Sequence, residues 1–248
     1  MMRTANPTLN EKTFAGPRPM VATEAMTIQG TVNKSAFLLV LTVLPAAWVW
    51  NQFFTTRDAS AAAKWILIGA LGGFVVALVT VFKKEWSVVT APVYAVLEGL
   101  FLGSLSAFFE VQFPGIVIQA VSLTFGTLGA LLLAYKSGLI KVTENFKLGV
   151  VAATGGIALV YLISIGLSFF GIQMPYLHDS GPIGIGISVF IVVIAALNLV
   201  LDFDFIERGA EQGAPKYMEW YAAFGLLVTL IWLYLEILRL LSKLRSRD

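Results

Sequence analysis

The sequence predicts an all-α membrane protein of seven transmembrane helices, and three observations carry that reading. Of 248 residues, 58% are hydrophobic and only 13% are charged, roughly half the charged share of a soluble domain. A chain of this length folded in water would still need a polar surface. Seven apolar runs approach or exceed the roughly 20 residues that span a bilayer as a helix. The runs show no strand-like alternation and are far longer than barrel strands, so in lipid only helices satisfy their backbones.

The runs, in order, are Ser35–Phe54, Ala61–Phe82, Val88–Phe109, Phe113–Ala134, Leu148–Phe170, Pro182–Leu201 and Tyr217–Leu241. Only Glu110, Val111 and Gln112 separate the third run from the fourth, and Pro114 marks a tight turn there. The seventh run is 25 residues without a proline and has one interior glycine, Gly225, which favours a full crossing. Residues 1–34 contain Pro7, Gly16, Pro17 and Pro19 and no apolar run, so they read as a flexible cytoplasmic tail. A signal peptide would carry its apolar stretch nearer the start. Residues 242–248 read as a basic C-terminal tail following a membrane domain over 35–241.

Basic residues orient the bundle. With the N-terminus in the cytoplasm, eleven of the 17 Lys and Arg fall inside, including Lys34, Lys83, Lys84, Lys141, Lys147, Arg208 and Lys216, and six fall outside. Four of those six, Arg239, Lys243, Arg245 and Arg247, lie in or near the C-terminal tail and oppose the seventh crossing.

Charge and composition exclude several classes. A net charge of +2 on 17 basic and 15 acidic residues is too balanced for nucleic-acid binding. With no cysteine there is no disulfide, thiolate metal site or cysteine nucleophile. His178 is the only histidine, adjacent to Asp179 in an outer loop without the companions of a metal site. Gly181, Gly184 and Gly186 lack the strand and spacing of a phosphate loop. Among the spans only the edge residue Lys64 could form a Schiff base, which argues against a retinal sensor. The carboxylates lack the histidines or serine–lysine arrangement of membrane hydrolases, so no enzyme and no cofactor is expected.

Ionisable residues inside spans are costly and point to function. Glu98 falls near the middle of the third run, where it is either protonated or facing a wet cavity. Gly99 and Gly103 follow it at a spacing that admits a second backbone, and Ser104 and Ser106 extend the small polar surface. Asp202 and Asp204 close the sixth run, with Glu207 and Arg208 one turn later. Asp202 is deep enough to lose water, whereas Asp204, Glu207 and Arg208 read as solvated helix-end charges. Glu236 lies in the last run, three residues before Arg239, a natural i, i+3 partner. The glycines at 69, 72, 73, 126, 129, 155 and 156 read as helix-packing positions.

The stretch Asn-Leu-Val-Leu-Asp-Phe-Asp-Phe-Ile-Glu-Arg-Gly at 198–209, with Leu-Tyr-Leu-Glu-Ile-Leu-Arg-Leu-Leu at 233–241, resembles the transmembrane Bax-inhibitor-motif family. The longer N-terminal tail and Gly-Ala-Pro-Lys-Tyr-Met-Glu-Trp at 213–220 suggest its bacterial branch, hence the bacterial cytoplasmic membrane. The resemblance implies a last helix wrapped by two groups of three, and a pH-sensitive calcium leak sensed by paired acids on helices six and seven. Position by position, those acids are Asp202 and Glu236, with Asp204 and Glu98 as substitutes. The second partner is Glu where the family has Asp, and the link between the two is longer than usual. The expected partners are the lipid bilayer and calcium or other cations; whether a metal binds at a fixed site is left open. The other function class is an interaction protein that docks a membrane partner, a protease or stress machinery, through the tail.

Overall fold

The computed structural model describes residues 25–171, 174 and 179–246, apart from the side chain of Ala61. Among them are seven long helices, each apolar enough to cross a membrane. Helix α1, Ile28–Thr56, is capped by the Thr27 hydroxyl, which accepts from the Gly30 amide at 2.9 Å, and ends at Arg57 in the left-handed region. Helix α2, Ala59–Phe82, follows Asp58, whose carboxylate accepts from the Ser60 amide at 2.8 Å. After a 3₁₀ turn, Lys84–Trp86, comes α3, Ser87–Gln112. The expected tight turn to α4, Ile116–Lys136, is Phe113 to Gly115, with Gly115 at φ 81°, a conformation glycine adopts without penalty. Helix α5, Glu144–Ser168, is capped by Thr143. Helix α6, Pro182–Glu211, opens on a proline, which lacks only an amide that would be unpaired there. Helix α7, Met218–Arg245, has Glu219 in its first turn and Lys243 and Arg245 in its last, matching its dipole.

Several boundaries differ from the sequence reading, and three of them have a polar reason. Helix α1 begins seven residues before Ser35, because Thr27 caps it and Gln29, Asn33 and Lys34 make its first two turns polar. Residues 1–24 of the expected tail lie outside the described residues. Helix α6 runs ten residues past Leu201 and α7 four past Leu241, since charged residues continue a helix once it leaves lipid.

The chain forms two compact units. One contains α1, α2, α3 and residues 205–228; the other contains α4, α5, α6 as far as 204, and α7 from 229. In the first, α1 and α2 both pack on α3. Gly99 and Gly103 lie so close to α1 that an added methyl would overlap the carbonyl oxygens of Thr42 and Ala46, and Gly69 stands equally close to the Leu97 carbonyl. The spacing therefore does admit a second backbone. In contrast, Gly126, Gly129, Gly155 and Gly156 have nothing within 4 Å of a Cβ position, so among the described residues these four pack no helix closely. The second unit packs Ile157, Ile191 and Ile194 against Tyr161, Leu197 and Trp232. Half or more of the apolar windows of α6 and α7 is buried, against a third or less elsewhere, which places the shielded positions on these two helices.

Candidate functional site

The second unit concentrates buried charge on α5, α6 and α7. Asp202 is fully buried. Asp204, expected in water, instead has a side chain only 13% exposed and pairs with Lys147 at 3.0 Å. Lys147, read from sequence as a loop cation, lies in the first turns of α5 with its side chain 2% exposed, and also contacts Glu144 at 3.3 Å. The sequence reading missed it because the apolar run begins one residue later, at Leu148. Nearby on the same two helices, Asn198 donates to the Thr154 hydroxyl and to the Ile194 carbonyl, both at 2.8 Å.

Glu236 anchors a second cluster, buried to 3% exposure. The Tyr161 hydroxyl donates to its Oε1 at 2.8 Å and the Trp232 indole at 3.3 Å. Arg239, the expected i+3 partner, approaches both carboxylate oxygens at 3.4 Å, donates to the Tyr161 hydroxyl and lies over the Tyr161 ring. Arg239, Tyr161 and Glu236 thus form a chain in which each bond polarises the next. One turn on, Lys243 donates to the Gly184 carbonyl at 3.1 Å and to Ser188 at 2.9 Å.

Of the two acids implied as a pair, Asp202 is fully buried and Glu236 is held by Tyr161, Trp232 and Arg239. At 1.5 Å per residue Asp202 lies about 13 Å from the end of α6, and Glu236 lies about 27 Å from the start of α7.

The first unit holds two further acids. Glu98 is half-buried, hydrogen-bonded to Tyr94 and packed against α2, where a Cβ on Gly73 would come within 2.8 Å of its Oε1. It does point at a neighbouring helix. Glu219, which sequence reasoning passed over, is fully buried. It accepts from the Thr27 amide and hydroxyl, both at 2.9 Å, from Lys216 at 2.8 Å, and from Lys34. Lys34 also stacks over Trp220, whose ring meets Phe37 edge-on. Thr27 in a cap position and Lys216 three residues before Glu219 are the local signals that point to this clamp. Beside it Ser87 donates to the Tyr217 carbonyl at 3.2 Å; burial, and then the nearby Glu85 carboxylate, raises the Tyr217 phenol above its ordinary pKa.

His178 lies outside the described residues, and among those described no three His, Asp or Glu side chains group as a metal site. The class is therefore an integral membrane protein of seven helices, in which lysine holds the Asp204 carboxylate and tyrosine and arginine hold that of Glu236. The sequence profile of the family described as Bax inhibitor 1 like matches residues 6–246, nearly the whole chain, and the chain belongs to that family. Comparison with curated proteins and with solved structures gave no match.

Proposed function

We propose that this protein is a pH-sensitive cation leak, with calcium as the favoured ion, in a bacterial cytoplasmic membrane and with its N-terminus in the cytoplasm. The observation that supports it best is the set of Asp202, Asp204 and Glu236 in one unit, all shielded within helices that span the membrane. Carboxylates in such surroundings are costly, and oxygen ligands of this kind suit calcium. Family membership supports the same reading. The mechanism is electrostatic. Protonating a carboxylate removes the charge that holds Lys147 or Arg239, and the helix contacts that depend on it change. Asp202, fully buried on α6, is the sensor we favour.

The test is calcium flux into proteoliposomes over a pH series. Wild-type flux should change with pH, and Asp202→Asn should flatten that change while folding normally. A protein whose variants all conduct alike, and whose effect depends instead on residues 1–34 capturing a membrane partner, would be an interaction protein.

A further inference from the structure

Lys147 is a cation in a place that electrostatics disfavours. It lies in the opening turns of α5, where the helix dipole presents its positive end, and its side chain is all but excluded from water. Its ammonium contacts two carboxylates, Glu144 at 3.3 Å and Asp204 at 3.0 Å. They differ in surroundings: Glu144 is 57% exposed and Asp204 is 13% exposed, with the fully buried Asp202 two residues away on α6. The ammonium thus stands between an acid in water and an acid in the interior. Stability alone is a weak reason for such an arrangement, because buried ion pairs are commonly replaceable by apolar residues without loss.

A cation entering from water at this end would meet Glu144 first and Asp204 next, and Lys147 already occupies the position between them. Resting on the leak reading above, we infer that the Lys147 ammonium is a tethered cation in the conduction path, and that a mobile cation reaches Asp204 only by displacing it. Two carboxylates balance one divalent ion but leave a monovalent ion one charge short. Displacement of a single ammonium therefore favours calcium over potassium, and Lys147 sets the selectivity as well as the resting rate.

The experiment measures calcium, potassium and N-methylglucamine flux in proteoliposomes of the full chain. Lys147→Met should raise potassium flux by about tenfold or more, because an ammonium at contact distance is a large barrier at low dielectric. Calcium flux should rise less, N-methylglucamine should stay excluded, and Lys147→Arg should behave as wild type. Asp204→Asn added to Lys147→Met removes both the plug and its ligand, leaves no orphaned charge, and should return potassium flux to the wild-type level or below. If Lys147→Met fails to fold, this double variant decides: conduction well above wild type would overturn the inference. Unchanged potassium flux in Lys147→Met, beside measurable wild-type flux, would also overturn it while leaving the leak intact. Entry of N-methylglucamine would mean a loosened bundle and would overturn it too. Absence of flux from wild type and every variant would bring down the leak reading, and this inference with it.

Discussion

Replacing Gly103 with alanine places a methyl group inside the backbone of α1. The added carbon would overlap the Ala46 carbonyl oxygen and lie 2.6 Å from the Ala46 Cα, where carbon atoms ordinarily approach to about 3.5 Å. Backbone cannot rotate away as a side chain can, so α1 must retreat by about 1 Å along its contact with α3. Overpacking of this kind costs about 1–3 kcal/mol. The same substitution at Gly126 meets nothing within 4 Å; there alanine gains about 0.5–1 kcal/mol over glycine in a helix interior. Thermal unfolding in detergent, followed by tryptophan fluorescence, should therefore show opposite signs for the two variants, separated by about 2–4 kcal/mol. Gly99→Ala should resemble Gly103→Ala, and the double variant should cost less than the sum because both force one displacement. Equal shifts at Gly103 and Gly126 would refute the close approach of α1 and α3.

Glu219→Gln should destabilise by about 2–4 kcal/mol in the same assay, because a buried carboxylate is replaced while Lys34 and Lys216 remain; Lys216→Ala, removing a half-exposed partner, should cost less than about 1 kcal/mol. Glu98→Gln should be tolerated better than Glu98→Leu, since Gln keeps a partner for the Tyr94 hydroxyl; equal melting temperatures would mean that bond contributes nothing. A cysteine at Ser246, in a chain with no native cysteine, should react with a membrane-impermeant reagent only from outside, and a cysteine at Lys83 only from the cytoplasm. Labelling of both from one side would break the seven-crossing topology.

The spans were legible because hydropathy over about 20 residues is a property of the bilayer, independent of which residues meet. Gly99 and Gly103 were legible for a similar reason: a four-residue repeat of small side chains admits a neighbouring backbone whatever that neighbour is. Gly126 and Gly156 show where this fails, since a glycine in a span carries no mark of the face it lies on. Arg239 as partner of Glu236 followed from i, i+3 spacing within one helix, whereas Tyr161, 75 residues away, could be found only by folding. Lys147 and Asp204 were missed as a buried pair for the same reason. Each alone looks like an interfacial charge, and only the packing of α5 on α6 removes both from water. The clamp on Glu219 was only half legible: Lys216 at i−3 and Thr27 as a cap are local signals, but the contact between Thr27 and Glu219 joins residues 192 apart in sequence. The Trp232 indole that also donates to Glu236 lies one turn before it on the same helix, a contact that i, i+4 spacing makes available.

The most direct test of the central claim is calcium flux through the purified protein in proteoliposomes at pH values from about 8 to about 5, spanning the range in which shielded carboxylates titrate. A leak that depends on carboxylate charge should change flux across this range, and Asp202→Asn should remove most of the change. Glu236→Gln should resemble Asp202→Asn if the two acids are coupled, and additive effects would mark them as independent. Wild-type flux at the level of empty liposomes at every pH, from protein that is folded and correctly inserted, would contradict the account.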